Sequence, residues 1–218
     1  RNFFSEKSGF ALAPNESLKL ALDKSRTLER ARELGIECPE TWIFPSLEIF
    51  KAEIPKLKLP LVVKSASEIS KFGPYYLHSS ADIEKLLLRF ELSETFLTTS
   101  MIVQKIVRGP GIGFFALYQE GSCKRLFMHQ RIRETPSSGG SSWAAKGLKN
   151  QNLEEAGLKL LDSLNWHGPA MVEFKLDELT GRPSLMELNP KFWGSLDLAI
   201  ESGVDFPSDT VRVALGDS

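Results

Sequence analysis

The chain has 218 residues, 42% hydrophobic and 25% charged, with a net charge of -1, an ordinary composition for a globular protein able to bury a sizeable core. That balance argues against bulk electrostatic binding of nucleic acid, and no apolar run approaches the roughly 20 residues of a membrane span. Two cysteines, Cys38 and Cys123, without CxxC spacing, argue against a disulfide framework and for a reduced compartment such as the cytoplasm.

Residues 1–16 carry Pro14-Asn15, lack periodicity and read as a leader or linker. Ser17 is a fair cap for one helix over 18–34, with Leu18, Ala21, Leu22, Leu28 and Ala31 at helical spacing and Gly35 as the stop. A short strand follows at 41–44, a helix at 46–54, and an apolar strand over 59–64 that ends on Lys64. Residues 75–78 can pair with it, and Ser80 caps a helix over 81–90. Three strands are expected at 101–107, 113–119 and 124–133, with Glu120-Gly121 as the hairpin turn between the last two. Residues 135–147, rich in Ser, Gly and Pro, read as a loop. An amphipathic helix over 153–164 precedes strands at 169–176 and 184–189, joined by a turn. Helices at 195–202 and 208–215 close the chain. Strands and helices mix without strict alternation, which predicts an α+β fold.

Glu173, Glu187 and Asn189 lie on the two strands joined by that turn, in Met-Val-Glu-Phe and Met-Glu-Leu-Asn-Pro. Alternation with apolar neighbours places them on one face. Two carboxylates and a carboxamide together suit a hard divalent cation that takes oxygen ligands and shares a phosphate; a solvated acidic strand face is the plainer alternative. Lys64, ending an apolar strand, can reach a phosphate from a fixed base, or simply meet solvent. Arg131 and Arg133 lead into a Ser/Gly stretch suited to anionic oxygens; flexible Ser/Gly loops are also common. Asn189 to Ser195 joins the acidic strand to a helix and places Lys191 beside any anion bound there, or serves as an aromatic hinge on the core.

In this order the pieces resemble the ATP-grasp superfamily, and within it the carboxylate ligases similar to carbamoyl-phosphate synthase and biotin carboxylase. The likeness runs from Asp23-Lys24 and Gly35-Ile36-Glu37-Cys38-Pro39, through 59–64, 102–109 and the arginine/Gly-Gly segment, to Met171-Val172-Glu173-Phe174, 186–195 and 203–207. It implies two α+β lobes clasping ATP, with the ATP-grasp domain over 17–218. A small lid lobe would span about 57–103 and a larger metal-binding lobe about 104–218. The domain that precedes the ATP-grasp unit in relatives is expected to be missing.

By the same resemblance, Lys24 and Lys64 contact the ATP phosphates or the purine. Gln104, Lys105 and Val107 form the linker strand that reads adenine, mostly through backbone groups. Glu173, Glu187 and Asn189 hold one or two Mg²⁺ ions, for which Mn²⁺ can stand in. Arg131 and Lys191 face the transferring phosphate or the acceptor carboxylate. From their alternation on one strand, Arg131 and Arg133 are expected on opposite sides of the sheet; the resemblance selects Arg131 for the cleft, with the amides of Gly139-Gly140-Ser141 beside it.

The implied activity is an ATP-dependent ligase that forms an acyl phosphate and passes it to an amine or thiol, most simply making a C–N bond. Its partners would be small carboxylate and amine substrates, with neither nucleic acid nor membrane. A homodimer and covalent attachment to further domains both remain open. Three departures from the family stand out: no glycine from Ser65 to Phe72 in the lid loop, no acidic residue from Lys105 to Gln119 for the ribose, and Lys191 where relatives carry arginine. They leave two alternatives, a non-catalytic nucleotide-binding module of a larger protein and a kinase-like enzyme that stops at the acyl phosphate.

Overall fold

The computed structural model describes residues 9–67, 72–92, 100–135 and 141–216. The expected helix over 18–34 is two helices, α1 (Asn15–Ala21) and α2 (Lys24–Glu33). Asp23 makes the break. Its carboxylate accepts from the amides of Ser25 at 2.9 Å and Arg26 at 3.3 Å, which caps a new helix instead of continuing the old one. Ser17 lies inside α1, not at its start, and donates its hydroxyl to Leu164 O at 2.7 Å.

Strand β1 (Thr41–Phe44) and helix α3 (Leu47–Glu53, capped by Ser46) come next. Strands β2 (Leu61–Ser65) and β3 (Tyr75–Leu77) lead to helix α4 (Ser80–Glu91). The cap of α4 is Ser79, not Ser80, in a reciprocal capping box with Asp82. With β4 (Met101–Lys105) these strands form an antiparallel four-stranded sheet ordered β1-β4-β2-β3. The sheet takes in residues 41–44, ahead of the expected 57–103 span. Alternation divides its faces. Leu61, Val63, Leu77, Met101 and Val103 pack on one core with Phe50, Leu86 and Phe90, so Val62, Lys64, Ile102 and Gln104 turn the other way.

The second sheet is built from β5 (Gly111–Gln119), β6 (Ser122–Thr135), β7 (Ser141–Gly147), β8 (Gly168–Leu176) and β9 (Pro183–Asn189), ordered β7-β6-β5-β8-β9. Glu120 and Gly121, at φ 48° and 80°, make the two-residue turn between β5 and β6, the backbone that matches the twist of a tight hairpin. Strand β7 lies where the sequence predicted a loop. It pairs with β6 through bulges around Arg131 and Glu134, so its backbone bonds are met even though its residues lack an alternating apolar pattern.

One face of this sheet packs α5 (Gln151–Asp162) through Phe114, Ala116, Val172 and Leu160. Gly157 is part of that seam, since a Cβ there would lie 2.3 Å from the Phe114 ring. On the other face, Phe115, Leu117, Met171 and Trp193 pack with α6 (Leu196–Glu201) and α7 (Phe206–Leu215). The rest of that face looks into a cleft toward the first sheet. Among the described residues no helix is long and apolar enough to cross a membrane.

Candidate active site

A cavity of about 830 Å³ lies between the sheets, with walls from both. Its acidic floor comes from β8 and β9. Glu173 and Glu187 stand directly opposite each other in the register. Asn189, two residues beyond Glu187 on the same face, donates its Nδ2 to Glu187 Oε1 at 2.8 Å. Apposed carboxylates repel in a partly buried setting, and each has its own cation here. Lys24 Nζ is 3.2 Å from Glu187 Oε2, and Arg131 Nη2 is 2.7 Å from Glu173 Oε2.

The two acids respond differently. Burial, then the charge of Glu187, pushes Glu173 up to about 6 despite Arg131. Burial also acts to raise Glu187, but Lys24, Asn189 and Lys64 outweigh it and hold the group below the ordinary value. Glu187 is thus the more firmly ionised partner.

Each cation is aimed by local structure. Lys24 opens α2, and its amide donates to Ala66 O at 2.8 Å. The Asp23 cap and an Asp23–Ser67 bridge stitch that turn to the end of β2. Arg131 lies on β6 but meets Glu173 on β8, so its side chain crosses β5. It can do so because β5 contributes Gly111 on that face; the space over Gly113 is taken by the Phe115 ring. A Cβ at Gly111 would fall 2.5 Å from Glu134 Oε1 and 3.0 Å from Arg131 Cδ.

Arg133 is exposed and does not line this cavity. Residues two apart on a regular strand share a face. Alternation therefore does not separate Arg131 from Arg133, which both line a second, smaller hollow beside Trp143, although the register shifts between them at Ile132. Arg131 pairs with Ala145 and Arg133 with Ala144, two successive residues of β7.

Lys64 enters from the first sheet and donates to Gln104 Oε1 at 3.1 Å. Burial, offset by Glu187 and reinforced by Lys24 and Lys175, lowers it to about 8. Lys191 lies on the exposed stretch after β9 and lines the rim. That stretch is held down by Trp193, whose ring centroid is 4.2 Å from Phe115 and 5.0 Å from Phe206.

Lys105 and Val107 do not line the cavity. Strand β4 ends at Lys105, whose exposed ammonium pairs with Glu40, and Val107 follows the strand end. The Gln104 side chain is buried beneath Lys64 rather than presented to the cleft. Gly139 and Gly140 lie outside the described residues, as does most of the lid loop after Ser67.

Sequence reasoning missed Lys175 and Glu134, both of which line the cavity. Lys175 was findable, being two residues past Glu173 and so on its face. The lining cations Lys24, Lys64, Arg131, Lys175 and Lys191 face the carboxylates Glu134, Glu173 and Glu187. Among the described residues, five against three leaves two positive charges, which suits a polyanion.

Among the described residues no group of three or more His, Cys, Asp or Glu side chains is placed to hold a metal unaided. Glu173, Glu187 and Asn189 offer oxygen ligands from one side only. That fits a hard cation whose remaining ligands come from a phosphorylated substrate and water.

No family model matches the chain. It is 23% identical to the carbamoyl phosphate synthase large chain of Xylella fastidiosa over 97% of its own length, and it spans 20% of that relative. Among solved structures it is similar to the biotin carboxylase–β-γ-ATP complex of Campylobacter jejuni, with a TM-score of 0.78 and 17% identity over 100% of this chain and 52% of that one. It is also similar to phosphoribosylamine–glycine ligase of Thermotoga maritima (TM-score 0.75, 14% identity, 99% and 60% covered). A third is D-alanine–D-alanine ligase of Bacillus anthracis complexed with ATP (TM-score 0.68, 19% identity, 96% and 68% covered). The chain has the α+β ATP-grasp fold that these structures share.

Proposed function

We propose that the chain is the ATP-binding and catalytic unit of a ligase that activates a carboxylate as an acyl phosphate and passes it to an amine, within a longer protein. One observation carries this reading: Glu173 and Glu187 face each other beside Asn189 on the floor of a cleft whose described lining carries more cations than carboxylates. The names of the structures sharing the fold, several of them ligases and two in complex with ATP or a related nucleotide, support it.

Within this reading Glu173, Glu187 and Asn189 hold Mg²⁺, or Mn²⁺ in its place. Bound there, the ion supplies charge neutralisation for phosphoryl transfer. Lys24 and Lys64 flank the acids and attract the phosphates. A phosphate bound here would give Lys24, which pairs with Glu187, a second anion, and Lys64, which donates to the neutral Gln104 amide, a first one. Arg131 reaches over Gly111 to the centre of the cleft, where negative charge on a transferring phosphoryl group is best stabilised by a fixed donor. Lys191 at the rim is placed to meet the acceptor carboxylate. As a lysine it acts as a point charge without the bidentate fork of arginine.

Glu187→Gln tests this. It keeps the hydrogen bond from Asn189 and removes the charge, so the fold should persist while metal-dependent nucleotide turnover falls by about 100-fold or more. Wild-type turnover in a folded Glu187→Gln protein would exclude the assignment.

A further inference from the structure

Gln104 sits in the middle of the first sheet, on the central strand β4, at 2% exposure. A buried carboxamide on a strand, following Met101, Ile102 and Val103, is costly unless both its ends are hydrogen-bonded. Both are. Its Oε1 accepts from Lys64 Nζ at 3.1 Å, and its Nε2 donates to Thr41 Oγ1 at 3.1 Å. Thr41 in turn donates its hydroxyl proton to Pro39 O at 2.7 Å. The register makes this possible: Thr41 pairs directly with Gln104, and Val62, the other partner of Gln104, is two residues from Lys64 on the same face.

The chain of bonds has one consistent direction. Because the Thr41 hydroxyl gives its only proton to Pro39, its oxygen is left to accept from Gln104. That fixes the amide with nitrogen toward Thr41 and oxygen toward Lys64. Reversed, the amide would set N–H groups against an ammonium.

We infer that Thr41 and Gln104 are positioning residues that hold the Lys64 ammonium toward the cleft before any phosphate arrives. A lysine side chain loses much rotamer freedom when it is fixed, and a fixed acceptor removes part of the cost of ordering it at the moment of binding. The inference rests on the nucleotide reading above, for it gives Lys64 a phosphate to meet.

The test is calorimetric titration of ATP and of adenosine into the full chain and its variants. Thr41→Val keeps the shape and removes the hydroxyl; Thr41→Ser restores it. Thr41→Val and Gln104→Leu should weaken ATP roughly tenfold, the scale of a lost hydrogen bond to a charged group, and leave adenosine unchanged. Thr41→Ser should stay within about twofold of wild type. In a Lys64→Met background, Thr41→Val should cost nothing more, because its effect passes through that lysine. Equal loss of ATP and adenosine, or full additivity with Lys64→Met, overturns the relay.

If the wild-type chain binds no ATP, the nucleotide reading fails and the relay is judged separately, by acetic anhydride labelling of Lys64 read by peptide mass spectrometry. A several-fold change in Thr41→Val that Thr41→Ser reverses supports it; unchanged labelling refutes it.

Discussion

Arg131 and Glu173 meet at 2.7 Å although a whole strand separates them. The contact depends on what β5 leaves out. Gly111 clears a path across the sheet, and a methyl group there would press on both Arg131 and Glu134. Gly111→Ala should therefore shift flexible side chains rather than unfold the protein. Turnover should fall by about tenfold or more as the arginine leaves its place, with the melting temperature within a few degrees of wild type. Unchanged turnover would show that Arg131 works from another position.

The same contact ranks the two arginines. Arg131→Ala removes the cation at the centre of the cleft and should lower kcat by about 100-fold. Arg133→Ala, at an exposed position across the bulge, should change little. Measuring kcat separately from nucleotide affinity distinguishes a transition-state role from simple binding. The reverse ranking would place the reacting groups on the far side of β6.

Much of this arrangement was legible in the sequence, and the gaps have physical causes. Glu173 alternates with Val172 and Phe174, and Glu187 and Asn189 lie two apart, so each strand's polar face follows from period 2; that the two faces coincide is set by the register that pairs Glu173 with Glu187 across a bulge. Gly111 carries no such signal: a glycine in a strand reads as weakness until the residue that passes over it is known. Strand β7 was hidden because edge residues such as Ser142, Trp143 and Ala144, half-exposed or fully exposed, need not alternate. The break at Asp23 was hidden because a helical pattern of apolar residues continues through it. Only the hydrogen bonds of the Asp23 carboxylate show that one helix ends and another begins.

Lys64→Ala follows from the position of its ammonium above Gln104 and near the acids. Removing it should weaken ATP by roughly tenfold or more, on the scale of one charge-assisted hydrogen bond, and hardly affect adenosine. Equal weakening of both ligands would mean that Lys64 supports packing instead.

Asp23 tests how a helix start aims the Lys24 side chain. Asp23→Ala removes the acceptor for the amides of Ser25 and Arg26 and should cost about 1 kcal/mol of stability. In a chain of this size that is a fall of roughly 2–4 °C in Tm. Asp23→Asn keeps an acceptor and should retain most of it. Nucleotide affinity should follow the same order, because the capped turn carries Lys24 to Glu187. If Asp23→Ala is destabilised yet binds nucleotide as wild type does, the cap is not what places Lys24.

His129 supplies a pH dependence whose sign can be worked out. The ring is 1% exposed, its centroid 4.4 Å from that of Phe115 and its Nδ1 3.4 Å from Ser195 Oγ. Burial, and then the charge of Arg131, lowers it to about 4, against roughly 6.5 in an unfolded chain. Between those values the unfolded state binds the proton and the folded state refuses it, so this contribution is complete above about 6.5 and is lost as pH falls toward 4, a few kcal/mol in all. Glu173 acts in the opposite sense. Raised to about 6, it takes up its proton more readily folded than unfolded and adds stability on acidification. The total curve mixes the two, so the measurement is the difference between wild type and His129→Gln. Denaturant unfolding from pH 7 to 4 should show a steeper loss in wild type than in the variant. Parallel curves would mean that His129 gains its proton as easily in the folded chain as in the unfolded one.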